Sequence, residues 1–286
     1  MNITFITDEA TQSPEEFIRL AGEYNIKSVE LRSVWNKKVC EMDASDIKEL
    51  KKILNDAGLG VCCIDSFVFK SEIGCDIQPE LDKLRLAIEN ALYLGAPVIR
   101  IFTYLRRANP EIYRESILES LLKAGKVAEN SGIKLAVENC RKTMVATGAE
   151  LAEIFQKLES DVFSVLWDPA NSLFCRLDPD PVNNGYFKIA HRVSHVHIKD
   201  PFVPENGDSE YVAVGRGNLD IKGQLRELNK RQYKGYISLE THWRPNRKMN
   251  LEEFDLPGGE SFSKSGYEAT KKDLETLFAI MKDVVK

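Results

Sequence analysis

Along this chain two hydrophobic periods take turns. Short apolar runs of strand length are each followed by a longer stretch in which apolar side chains return every three or four positions, the spacing of a helix that buries one face. The strand-like runs cover residues 3–6, 28–31, 60–64, 97–102, 135–138, 165–168, 194–200 and 237–240. The helical stretches cover 14–24, 44–57, 80–94, 110–131, 147–158, 182–190, 220–228 and 266–285. In the second of these, Ile47, Leu50, Ile53 and Leu54 mark the buried stripe.

Strand-then-helix repeated eight times predicts an α/β fold, a single (β/α)8 TIM barrel occupying residues 1–286 as one domain. The rival is an open doubly wound sheet. That arrangement normally grips its ligand with a glycine-rich first turn, and here the first turn reads Thr7-Asp8-Glu9-Ala10-Thr11. A barrel collects the C-terminal ends of all its strands at one mouth, so residues far apart in sequence can converge there.

Besides the run over 194–200, three of the runs end in a carboxylate, at Glu138, Asp168 and Glu240. The run between the last two holds His195 and His197, whose i, i+2 spacing turns both imidazoles to one face of a strand. A carboxylate at a strand end also serves as a turn residue or helix cap. With the histidine run counted between them, these strand ends recur about one βα unit apart and predict a shared site, hard and oxygen-rich, suited to one divalent ion: Mn²⁺, Mg²⁺ or Co²⁺, with Zn²⁺ also open.

Two loops promise to reach the mouth. Residues 201–217 are long enough to fold over it as a lid, and 245–266, rich in proline, glycine and polar side chains, read as a long loop after the eighth strand. Such a loop could also reach a neighbouring subunit, so a homo-oligomer stays among the expected partners.

A net charge of −5 argues against a surface built to neutralise nucleic-acid phosphates. No apolar run approaches the ~20 residues that span a bilayer. The six cysteines form no CxxC pair and Met1-Asn2-Ile3-Thr4 leads directly into a strand, from which a cytoplasmic protein with reduced thiols is expected.

The motifs resemble those of the xylose isomerase-like TIM barrels, a superfamily of sugar and sugar phosphate isomerases and epimerases. The likeness runs the length of the chain. It is carried by Ala136-Val137-Glu138-Asn139, Trp167-Asp168-Pro169-Ala170-Asn171, His195-Val196-His197-Ile198-Lys199-Asp200, Gly215-Arg216-Gly217-Asn218 and Ser238-Leu239-Glu240. The resemblance implies Glu138, Asp168, His197 and Glu240 as the metal ligands, the histidine two before the lysine being the one used. The DNA-repair branch, similar to endonuclease IV, needs further histidines. Here none precedes His191, and Asn171 stands three after Asp168, so a nuclease is not expected.

The chemistry implied is proton abstraction beside a carbonyl, the resulting enediolate being stabilised by the cation. Glu138 and Glu240 are the expected catalytic pair, one taking the proton and the other returning it. Epimerisation, isomerisation and, by loss of a β-hydroxyl, dehydration of the inosose or dehydroshikimate type share that first step. A sugar-binding barrel without turnover is the alternative of another class. The expected partner is a small keto-sugar or sugar phosphate.

His195, Lys199, Arg216 and Glu30 are further expected substrate contacts. Lys199 and Arg216 offer cations to a phosphate or oxyanion, or pair with Asp200 and Asp220. Glu30 and Arg32 point the same way from the second strand, while Asp8, Glu9 and Asp65 hold similar strand-end positions that the sequence does not rank. Asn139 and Asn171 either orient a carboxylate or cap a helix. His191 and His242 are read as structural or surface residues, and Trp35, Phe67, Tyr104, Trp167 and Trp243 as packing residues or sugar-facing walls.

Overall fold

In the computed structural model, which describes residues 1–285, the eight strand-like runs become one parallel sheet. Its strands are β1 (Asn2–Phe5), β2 (Ser28–Leu31), β3 (Gly60–Asp65), β4 (Val98–Ile101), β5 (Lys134–Glu138), β6 (Phe163–Trp167), β7 (Val193–Ile198) and β8 (Tyr236–Leu239). Each pairs with its neighbour in chain order from β2 to β8, and β8 returns to β1 in register from Asn2↔Tyr236 to Phe5↔Leu239. The last edge, between β1 and β2, is joined by a single bridge, Ile6↔Glu30, and by the Thr4 hydroxyl donating to the Ser28 carbonyl at 2.6 Å. The barrel is thereby nearly closed.

Alternation along the strands divides the side chains between two cores. Val29 and Leu31, Ile99 and Ile101, Leu135 and Val137, Val196 and Ile198, and Ile237 and Leu239 face outward into one apolar layer beneath the helices. Their alternate neighbours turn inward, where Ala136 leads up to Glu138, Leu166 to Asp168, His195 to His197 and Lys199, and Ser238 to Glu240. The inward positions include buried charges in number: Glu30, Arg32, Asp65, Arg100, Glu138, Lys199 and Glu240. Buried charge is costly unless paired, so the upper barrel is built as a network.

Around the sheet lie α1 (Pro14–Glu23), α2 (Ala44–Asp56), α3 (Gln78–Leu94), α4 (Arg114–Ala128), α5 (Gly148–Phe155), α6 (Tyr186–Ile189), α7 (Ile221–Lys230) and α8 (Gly266–Val285). Local signals start several of them. Ser13 caps α1 with Pro14 in its first turn, Asp43 accepts from the Ser45 and Asp46 amides at α2, and Thr147 with Glu150 forms a capping box at α5.

Three expectations need correction. The helix expected over 110–131 opens with a 3-10 turn at Pro110–Tyr113 and is α-helical only over Arg114–Ala128. The one expected over 182–190 shrinks to Tyr186–Ile189. There Gly185 packs so closely on Gly148 that a Cβ on Gly148 would lie 2.4 Å from the Gly185 carbonyl oxygen, and the residues just before Tyr186 form turns in place of helix. The segment 245–266, read as loop, contains two short helices, Leu251–Asp255 and Gly259–Ser263, the first held by an Asn250–Glu253 capping box. Its polar residues are thus caps and ion-pair partners: Glu253 also binds Arg247. Among the described residues no helix is long and apolar enough to cross a membrane.

Candidate metal centre

Glu138, Asp168, His197 and Glu240 meet at the mouth of the barrel. Each offers one donor atom, and these four atoms all lie within 4.8 Å of one another. All four side chains are buried. Two donor atoms among them have no hydrogen-bond partner: Nδ1 of His197 and Oε2 of Glu138. The latter sits 3.4 Å from Arg100, within ion-pair range but without hydrogen-bond geometry. Buried atoms left this way in a converging set of carboxylates and imidazole fit a divalent cation.

The surrounding residues fix each donor. The Asn171 amide donates to Glu138 Oε1 at 2.9 Å, and the Asn171 backbone N–H caps on Asp168 Oδ1 at 3.0 Å. Asn139 donates to the Asp168 carbonyl at 2.7 Å and accepts from the Asp168 N–H at 2.9 Å. Both asparagines therefore orient residues of the quartet, and the cap of the short helix Pro169–Phe174 is Asp168 itself. Lys199 donates to Asp168 Oδ2 and Glu240 Oε2, and Arg32 donates to Glu240 Oε1 at 2.9 Å. Burial works to raise the Glu240 carboxyl, but Lys199, His242 and His197 beside it outweigh burial and hold it well below the usual carboxylate range.

Of the other expected contacts, Lys199 reaches the quartet and three do not line its cavity. Glu30 and His195 lie below it: Glu30 binds His195 Nε2 at 2.8 Å and His197 Nε2 at 3.0 Å, so it holds the quartet histidine from beneath. Arg216 is exposed. The Asp200 carboxylate explains its place, accepting from the Gly215 and Gly217 amides at 2.8 and 2.9 Å and folding that turn back on itself. Asp200 is thereby engaged with backbone, and the alternative weighed for Lys199, a pairing with Asp200, does not form.

Several residues at the mouth were unranked or read otherwise from sequence. His242 is buried there, not on the surface. Its Nδ1 binds Glu9 Oε1 at 2.7 Å, its backbone N–H donates to Glu9 Oε2 at 3.0 Å, and its Nε2 lies 3.7 Å from Glu240 Oε1. Arg32 ties Asp8, Glu9 and Glu240 together, and Asp65 pairs with Arg100 at 3.0 Å. Lys70, not singled out in the sequence, lines the same cavity.

The cavity above the quartet is small, about 20 Å³, the room of one water. Its walls include Phe102, Tyr211 and Phe254, with Asp255 and Pro257 closing the top. Tyr211 comes from a short hairpin within the 201–217 loop (Asp200–Phe202 with Glu210–Val212) and meets the His242 ring edge-on. Phe254 stacks on His242 at 5.4 Å. Beyond this cover lies a second cavity of about 1030 Å³, which shares Arg141, Tyr211, His242 and Phe254 with the first. Trp243 lines that outer space, whereas Trp167 is fully buried and Tyr104 bonds Ser120 away from the mouth.

Known proteins share this architecture. The chain is 27% identical over 150 residues to an inosose dehydratase of Salmonella typhimurium, an alignment that spans about half the length of that relative. An inosose dehydratase of Clostridium beijerinckii is 20% identical over 258 residues, 84% of this chain and 78% of the relative. Among solved structures, the IolI protein with a bound zinc atom superposes with a TM-score of 0.77, at 16% identity and 99% coverage of both chains. D-allulose 3-epimerase from Methylomonas sp., in complex with D-allulose, gives 0.74 at 15% identity, covering 98% of this chain and 96% of that one. The family model for xylose isomerase-like TIM barrels matches residues 18–257, and with the barrel and its mouth as described, the chain belongs to that family.

Proposed function

We propose that Glu138, Asp168, His197 and Glu240 hold one divalent cation, and that the protein is an enzyme moving a proton at the carbon beside the carbonyl of a polyhydroxy ketone. The observation that carries this reading is the convergence of the four donor atoms, two of them on glutamates from strands three places apart around the barrel. One imidazole with three carboxylates suits Mn²⁺, Mg²⁺ or Co²⁺ and accepts Zn²⁺. Bound there, the cation would polarise a carbonyl and acidify the neighbouring C–H.

The chain's own groups do the rest. One glutamate accepts the proton from carbon while the electron pair moves onto the carbonyl oxygen, giving an enolate. Return of a proton to the opposite face of that carbon, by the other glutamate, completes an epimerisation; return to the former carbonyl carbon, with the hydroxyl proton passing to the old carbonyl oxygen, completes an isomerisation. Asn171 steadies Glu138, and Arg32 steadies Glu240.

A second reading, dehydration, is favoured by His242 and by the inosose dehydratases among the relatives. With Glu9 holding Nδ1–H, the imidazole keeps Nε2 beside Glu240. Once protonated, it can pass that proton to a β-hydroxyl, which leaves as water while the enolate pair forms the C=C bond.

Solvent deuterium exchange tests the common step. Manganese-loaded protein is expected to wash deuterium into a hydroxy-ketone substrate, and Glu138→Gln and Glu240→Gln are each expected to stop it. Exchange retained in both variants contradicts the proposal. Mass loss of one water marks the dehydratase outcome, and sugar binding without exchange marks a barrel that only binds.

A further inference from the structure

Four cationic side chains line the cavity over the quartet: Lys70, Arg100, Arg141 and Lys199. Arg100 pairs with Asp65 and Glu138, and Lys199 with Asp168 and Glu240, all inside the barrel. Arg141 is different. Its carboxylate partner is Asp255, from the helix that folds over the mouth, and Lys142 holds the other Asp255 oxygen at 3.0 Å. Lys70 has no carboxylate partner among the described residues. Its ammonium lies 4.8 Å from the ring centre of Phe102 and 5.5 Å from that of Phe67. Aromatic faces attract a cation but do not neutralise it.

We infer, resting on the quartet reading above, that the substrate is an anionic polyhydroxy ketone whose charged end sits between Lys70 and Arg141, in the place Asp255 now holds. Asp255 is a carboxylate already seated on that wall, and it shows what the wall accepts. The Arg141 guanidinium lies 5.0 Å from the ring centre of Phe174, which holds it against that wall. Arg141, Tyr211, His242 and Phe254 line both the inner space of about 20 Å³ and the outer one of about 1030 Å³, and Asp255 and Pro257 line the inner one. The inner space has room for about one water, so a ligand whose charged end reaches Arg141 takes the place of Asp255. An anionic ligand replaces the carboxylate that Arg141 and Lys142 lose and gives Lys70 a partner; a neutral one leaves all three cations uncompensated. The cavity therefore selects for charge before any loop reads the sugar's hydroxyls.

Carboxylate and phosphate share this chemistry, and three six-carbon probes separate them: 5-keto-D-gluconate, D-fructose 6-phosphate and uncharged D-fructose. Their binding is measured by calorimetry on the manganese-loaded full chain, on Lys70→Gln and on Asp255→Asn, with circular dichroism confirming the fold. At least one anionic probe is expected to bind about tenfold tighter than fructose, a difference of roughly 1.4 kcal/mol. Lys70→Gln is expected to erase that preference, and Asp255→Asn, which removes the internal competitor, to tighten the anionic probe. Equal affinity for all three probes, absence of binding by all three, or a preference that survives Lys70→Gln overturns the inference. Metal uptake, read in the same samples before any probe is added, reports on the quartet reading alone.

Discussion

Glu30 accepts a hydrogen bond from Nε2 of His197 at 3.0 Å. A carboxylate can only accept here, so Nε2 keeps its hydrogen, and the imidazole in its neutral form presents Nδ1, 3.6 Å from Glu240 Oε2, to a cation. That is the tautomer a metal ligand needs, set by a residue that would never touch the metal.

Glu30→Gln is therefore expected to weaken metal binding by about 10- to 100-fold, because the glutamine amide can donate to Nε2 and allow the opposite tautomer. Competition against a fluorescent chelator measures it. An unchanged affinity would mean that His197 is not held as a ligand.

Lys199 stands among the quartet carboxylates as their counter-charge. Lys199→Met removes it, and buried carboxylates left without a partner cost on the order of 3–5 kcal/mol. Urea unfolding in the presence of a chelator is expected to show that loss, and a stoichiometric divalent ion is expected to recover most of it. A loss that the ion does not relieve would place the two positive charges in different sites.

Asp273, on α8, is buried and binds the Trp243 indole N–H at 2.7 Å and the Val214 amide at 3.0 Å. Burial pushes its carboxyl up to about 7, against those two hydrogen bonds. The folded state thus keeps a proton that the unfolded chain releases near pH 4. Its stabilising contribution is complete below that pH and is lost as pH rises through 7, by up to on the order of 4 kcal/mol. Unfolding free energies at pH 5 and 8 are expected to differ more in wild type than in Asp273→Asn. Equal slopes would contradict the assignment.

The quartet was legible because its residues sit at strand ends, where the period of two decides direction. The same rule put His195 and His197 on one face, and both turn to Glu30. What it could not show is loop conformation. His242 adopts φ +53° and Phe69, just before Lys70, φ +61°, left-handed geometries rare for such side chains and fixed only by the packed mouth. Arg216 looked close to the mouth in sequence, yet Asp200 folds its turn away. The helices at Leu251–Asp255 and Gly259–Ser263 are too short for a hydrophobic period to reveal. Their polar residues read as loop until Arg141, Arg247 and Asn250 supply partners.

The most direct measurement is a titration of metal-free, folded protein with Mn²⁺, followed by calorimetry and by the paramagnetic signal of the free ion. The account predicts one equivalent bound by the wild type, and binding lost in His197→Ala and in Glu138→Ala while the fold is kept. A folded wild-type chain that binds no divalent ion, or one that binds it undiminished in both variants, would contradict it.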